Sequence, residues 1–313
     1  MAVITQTPVA VPEQRRKTTR NQQGGRTLIS RAQLNRPRGK ALYWTVFGLV
    51  VAVFTLVFLG PIYFLFTDGL KSTQEVIQNP PTLFPQHIHP SVYQAAWSRM
   101  DIGQLLFNTL LYAFGALVFQ LIFDVAAAYA FSKLRPRLGN AVLGMMLASL
   151  MIPATVLLVP QYVTITDLPL IHISLVDQPE AIWLPSVASA FNIFLLKRFF
   201  DSIPEELMQA AAIDGAGPMR TLRSIVLPMS RPILGVVSIF AVVAVWKDFL
   251  WPLLAEPLPN KQTLNAGINS LSEGVPANVL IAASAIAAVP TIVLFLIFQR
   301  NIMSGLTAGS LKG

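Results

Sequence analysis

The chain has 313 residues, of which 54% are hydrophobic and 12% charged, against a charged share of about 25% in ordinary soluble domains. Its formal net charge is +8, but the cations gather beside apolar blocks, which points to membrane flanks rather than nucleic acid. The absence of cysteine excludes disulfides, thiolate metal sites and a cysteine nucleophile.

Residues 1–40 are expected to form a flexible basic cytoplasmic tail, too long and too rich in Pro and Arg for the charged region of a cleavable signal peptide. Six apolar stretches follow, each near the roughly 20 residues that cross a bilayer core. They run approximately from Ala41 to Phe66, Leu105 to Phe131, Leu138 to Val163, Ala181 to Leu196, Pro232 to Leu254 and Val279 to Phe298. The predicted fold is an all-α integral membrane protein with six transmembrane helices, residues 41–313 forming the membrane domain. Pro61, Pro153, Pro160, Pro185, Pro252 and Pro290 fall inside these stretches, where a helix bundle tolerates kinks if neighbours satisfy the freed carbonyls.

Lys and Arg placement gives the orientation. The tail, Lys133, Arg135 and Arg137, the group Lys197, Arg198, Arg220, Arg223 and Arg231, and finally Arg300 and Lys312 all fall on one side. The other side holds Lys71, Arg99, Lys247 and Lys261. A multi-pass membrane protein with both termini cytoplasmic is therefore expected. Positive-inside anchoring accounts for the tail without a nucleic-acid partner, with anionic lipid as the alternative. His87, His89 and His172 lie in predicted loops without a carboxylate cluster, so no metal site is expected.

Within the apolar stretches, Asp124 with Gln120 one turn away reads as an interhelical hydrogen-bonding pair or a path lining. Asn108 reads as a cap of the second helix, and Asn192 as a residue facing a central path. Trp246, Lys247, Asp248 and Trp251 sit near the outer end of the fifth helix as interface anchors or ligand-stacking platforms, the structural role being favoured. The candidates for a substrate path are thus Asn192, Asp124, Trp246 and Asp248.

The connection between the fourth and fifth helices, about 197–231, carries the most pattern. From Asp201 to Pro218 it reads as a short helix with Asp201 or Ser202 as cap, Pro204 in the first turn and Glu205 and Glu206 complementing the dipole. Gly215 can stop it in the left-handed region. A second helix is predicted from Pro218 to Leu227. Ala210, Ala211 and Ala212 remove bulk, so either another protein docks here or the helix-turn-helix packs under its own bundle.

This stretch resembles the EAA loop of ABC-importer permeases: Glu-Ala-Ala, three residues, Gly, nine residues, then Ile-x-Leu-Pro. Gln209-Ala210-Ala211, Gly215 and Ile225-Val226-Leu227-Pro228 satisfy the spacing, with Gln209 standing where the pattern has Glu. From Leu42 onward the chain is similar to carbohydrate permeases of the maltose-importer class. The stretches that carry this are Asn108-Thr109-Leu110, Ala127 to Phe131, Met151-Ile152-Pro153, Phe194-Leu195-Leu196, Asp248 to Leu253 and Gly305 to Gly313.

The resemblance implies a permease subunit with a cytoplasmic coupling helix-turn-helix, its ATPase contact made by Glu205, Glu206, Gln209, Ala210, Ala211, Asp214 and Gly215. It implies a cytoplasmic ABC ATPase dimer, a second homologous permease and an extracytoplasmic solute-binding protein as partners, besides membrane lipid. The expected cargo is an oligosaccharide or related glycoside. A polyol, glycerol phosphate or peptide is the alternative, and an ion-coupled secondary transporter the more distant one. No Gly-x-x-x-x-Gly-Lys-Ser/Thr loop occurs in the sequence, so no cofactor is expected on this chain and ATP is expected to be used by the partner.

Overall fold

A computed structural model describes residues 37–308, with side chains described from 39 to 299. Most of the expected basic tail, the last five residues of the C-terminal run and Lys312 lie outside the described residues. Among the described residues all regular structure is helical.

By packing, the chain divides into two units, Met1–Gly60 and Pro61–Gly313. Helix α1, Pro37–Asp68, begins in the first unit. There Trp44, Phe54 and Leu56 all stand exposed, the condition of a helix whose solvent is lipid and whose backbone groups are satisfied internally.

The second unit comprises α2 (Ser91–Arg99), α3 (Ile102–Tyr129), α4 (Gly139–Ser149), α5 (Ala154–Thr166), α6 (Ala190–Asp201), α7 (Glu205–Ile213), α8 (Arg231–Lys247), α9 (Leu250–Ala255), α10 (Leu264–Ser270) and α11 (Ala277–Ala308), the last reaching the chain's end region. Helix α3 is its spine. Ile102 and Leu105 pack with α2, α10 and the Ala282, Ala283 and Ala287 stripe of α11. Tyr112, Ala113 and Ala116 pack around Ile182 and Trp251. Val125, Ala128 and Tyr129 join α6, α8 and the segment between them. Lipid gives apolar helices no hydrophobic reason to associate, so close approach by small residues has to hold such a bundle. Gly115 of α3 shows this, because a Cβ there would overlap the Trp183 indole.

Among the described residues three helices are long and apolar enough to cross a membrane: Gly39–Asp68, Ile102–Leu134 and Ala277–Gln299. These contain the first, second and sixth predicted stretches. The others are corrected. The third breaks into α4 and α5, bent by 106°, because Pro153 has no N–H to continue the ladder and biases Ile152 away from helical geometry. The fourth is interrupted between Glu180–Trp183 and α6, around Pro185. The fifth stops at Lys247, where Asp248 is extended, and resumes as α9. Asn108 is not a cap either. It lies inside α3 and its Nδ2 donates to the carbonyls of Asn260 (2.8 Å) and Gln262 (3.0 Å).

Candidate functional site: a helical platform and a cavity

The segment between α6 and α8 folds as two helices. Its expected cap is corrected: Ser202 closes α6, donating from Oγ to Phe199 O (2.6 Å), and Asp201 is the last residue of α6. Pro204 takes the N-cap place of α7 without a side-chain bond. Its fixed φ suits the entry to a helix, and Glu205 and Glu206 then sit where the dipole favours anions.

The other end of α7 follows the expected chemistry. Gly215 has φ +71°; its N–H reaches Ala212 O (3.1 Å) and the Ala216 N–H reaches Ala211 O (2.8 Å). These two bonds constitute a Schellman ending. Past it, Pro218–Thr221 opens a second helix that continues through a π turn, Leu222–Val226.

Helix α7 turns Ala211 inward and leaves Glu206, Gln209, Ala210 and Ile213 outward, positions i, i+3, i+4 and i+7 of one face. Ile213 is 86% exposed, and Met219 is also exposed. An apolar tip beside small residues is a surface shaped for close contact. Asp214 and Gly215 are exposed at its end.

Glu205 faces the other way. Its Oε2 lies 3.7 Å from Lys133 Nζ and 3.8 Å from Arg135 Nη2, while Lys133 Nζ donates to Ile203 O (3.0 Å). Tyr129 Oη donates to Pro218 O (3.1 Å) and Ser132 Oγ to Asp201 Oδ1 (2.8 Å). The end of α3, with its π turn Ala130–Leu134, therefore grips the platform at Ile203, Glu205 and Pro218 and the end of α6 at Asp201. Beneath lie buried Phe200, Ile203, Leu222 and Val226. Sequence reading counted Lys133 and Arg135 only as flanking charges; no local spacing ties them to Glu205.

The four path candidates do not converge. Asp124 is 0% exposed and its Oδ1 accepts the Ser189 N–H (2.9 Å), where Ser189 caps α6. That bond joins α3 to α6 next to buried Asn192. Trp246 is buried and its carbonyl accepts from Asn265 Nδ2 (2.9 Å). Trp251 Nε1 donates to Ala181 O (3.0 Å). Of the four, Asp248 lines a cavity of about 260 Å³, together with Thr155, Gln161, Ser186 and Trp251. Sequence reading missed Thr155, Gln161 and Ser186. Pro153, Pro160 and Pro185, which mark where helices loosen, were the available signal.

At the same end as Trp251, Glu256 is 0% exposed, and neither carboxyl oxygen has a partner among the described residues. Burial, reinforced by the charge of Asp177, pushes its pKa from 4.5 up to about 8. The folded chain thus keeps a proton that the unfolded chain releases, so stability is greatest below pH 4.5 as far as this group is concerned and declines as pH rises to about 8. Glu256→Gln should flatten that decline and raise stability at pH 8. Thermal unfolding followed across pH checks it; equal pH slopes in both proteins would contradict the assignment.

An all-helical membrane protein with a helical platform gripped by its central helix and a separate, mostly apolar cavity carrying a few polar groups is the class defined so far. Residues 120–307 match the family described as binding-protein-dependent transport system inner membrane component, and the chain belongs to that family. It is a membrane component of a transport system rather than an enzyme. It is 30% identical over 272 residues to an sn-glycerol-3-phosphate transport system permease protein UgpE of Rhizobium meliloti (strain 1021), covering 83% of this chain and 93% of that one. Its counterpart in Pectobacterium atrosepticum is 32% identical over 268 residues, covering 82% and 93%. Among solved structures, a chain of a bacterial ABC transporter that imports the acidic polysaccharide alginate has a TM-score of 0.74 at 23% identity, covering 85% of this chain and 98% of that one. The likeness confirms the fold.

Proposed function

We propose that the chain is one of two permease subunits of an ATP-driven importer of a sugar or related glycoside, with α7 as the helix that docks on a separate ATPase. The observation that carries this is the platform itself: an exposed small-residue face ended by Gly215 and bonded through Glu205 to the end of α3. A push on α7 would reach the bundle core without passing through a flexible loop, as rigid-body alternating access requires. Glu206, Gln209, Ala210, Asp214 and Gly215 are assigned to the ATPase contact, with Ala211 supporting them from inside and Glu205 anchoring. The Lys and Arg asymmetry supports six crossings with both termini and the platform inside, the broken third, fourth and fifth stretches counting as one crossing each. Tagging each loop for chemical accessibility tests this; an externally reachable Arg220 would overturn it.

On the solute, the relatives' names point to glycerol 3-phosphate, and the cavity points to a neutral polyhydroxyl compound. Its lining is mostly apolar, with the Trp251 ring, the hydroxyls of Thr155 and Ser186, the Gln161 amide and the Asp248 carboxylate, and it has no Lys or Arg. Asp248 would repel a phosphate and accept from sugar hydroxyls. A binding protein would deliver the solute, and ATP would be used by the partner chain. In membrane vesicles holding the whole assembly, ATP-dependent uptake of a neutral oligosaccharide is expected. The chain purified alone should show no ATP hydrolysis. Uptake restricted to glycerol 3-phosphate would replace the sugar reading, and uptake driven by an ion gradient without ATP would remove the importer reading.

A further inference from the structure

We infer that a basic cavity at the platform end of the bundle binds the phosphodiester of an anionic phospholipid. The cavity, of about 330 Å³, lies between the end of α3, the start of α4 and α6, lined by Ser132, Arg135, Arg137, Asn140, Lys197 and Asp201.

Charge is the first argument. Lys197 Nζ is committed to Asp201 Oδ2 at 2.7 Å, and Lys133 and Arg135 share Glu205. Arg137 has no ion pair among the described residues. Four cations thus meet two carboxylates, and two positive charges remain for a ligand.

Preorganisation is the second. Arg135 holds φ +48°. Its Nε donates to Ser132 O (3.1 Å) and its N–H to Ala130 O (2.9 Å), so the guanidinium sits on a fixed turn. The N-terminus of α4 opens onto the cavity through Gly139 and Asn140, and no side chain caps it. The Gly139 N–H is taken by Pro136 O (2.8 Å), so it is the positive end of the α4 dipole that adds to the field of the arginines.

The lipid rather than a free anion is indicated by what stands beside the charges. Leu138, 73% exposed, continues along α4 into exposed Val142 and Met145, spaced i, i+4 and i+7 on one helix face. A headgroup in the cavity would lay its acyl chains along this stripe, as basic pockets at the cytoplasmic ends of membrane helices do. Since Arg135 also touches Glu205, an occupied cavity would compete for the contact that anchors α7.

The test uses the purified transporter assembly in nanodiscs of phosphatidylcholine with and without phosphatidylglycerol, followed by partial delipidation and native mass spectrometry. Wild type should retain phosphatidylglycerol. Arg137→Gln should lower retention about fivefold and Arg137→Glu further, whereas Arg99→Gln, an exposed cation outside the cavity, should not. Arg137→Cys, in a chain without other cysteines, should cross-link to a thiol-reactive phosphatidylglycerol. Unchanged retention in Arg137→Glu, or equal loss in Arg99→Gln, would overturn the site. Displacement by inorganic phosphate alone would make it a free-anion site, and cross-linking to a second permease instead of lipid would make it a subunit interface. Nanodiscs offer the lipid at both ends, so the result is independent of the sidedness and solute proposed above.

Discussion

Gly215→Val is expected to leave the chain inserted in the membrane while releasing its ATPase partner and uncoupling hydrolysis from uptake. At φ +71° a Cβ at this position would meet nothing within 4 Å, so the cost is backbone strain alone. For a non-glycine residue in the left-handed region that strain is about 1–2 kcal/mol, and a β-branched side chain lies at the upper end. The chain can relieve it only by undoing the Ala216 to Ala211 and Gly215 to Ala212 bonds that end α7, which moves the docking face. Retention of the ATPase should fall about tenfold, the equivalent of 1.4 kcal/mol. Gly215→Asn, whose side chain tolerates this region, should do much less, as should Ala212→Ser, a small change at an exposed position on the Glu205 side of α7. Co-purification of the ATPase with each variant, beside transport in vesicles, measures both effects. Normal retention with normal transport in Gly215→Val would show that α7 is not the coupling helix.

Lys71→Met is expected to cost stability rather than coupling, by about 3 kcal/mol. The Lys71 side chain is 1% exposed; Nζ meets Asp68 Oδ1 at 2.6 Å and donates to Thr82 O at 2.6 Å. The Phe64 ring lies beneath it, 5.7 Å away, and Asn278 Nδ2 of α11 donates to its carbonyl (3.0 Å). Methionine keeps the volume but leaves Asp68 charged and half-buried without its cation. Because the loss comes from that orphaned carboxylate, Asp68→Asn combined with Lys71→Met should recover part of it. Unfolding of Lys71→Met, Asp68→Asn and the double variant in detergent, beside wild type, gives the double-mutant cycle. A loss below about 0.5 kcal/mol in Lys71→Met would mean that the pair behaves as an exposed one.

Membrane residence, the places where the chain is apolar, and the form of the platform were legible from the sequence alone. Each depends on local or compositional physics. Apolar blocks of membrane length need no partner to be recognised, and Gly215 after an alanine helix is a stop signal wherever the helix packs. Spacing from Gln209 to Pro228 could likewise be read without a fold. Tertiary structure decided which apolar blocks are single helices: Pro61 and Pro290 lie inside unbroken helices, whereas Pro153 separates α4 from α5. All lack the same N–H, so residue type alone does not separate the three cases. It also decided which polar groups meet. Glu205 and Lys133 are 72 residues apart, too far for sequence periodicity to link them, yet α3 and α6 bring them within 3.7 Å. Lys71, expected as one more loop cation on the outer face, is buried because Asp68, Thr82 and Phe64 converge on it. Local rules determine an element's ends and its preferred solvent; only the close packing of distant elements determines which of its charges are left free to act.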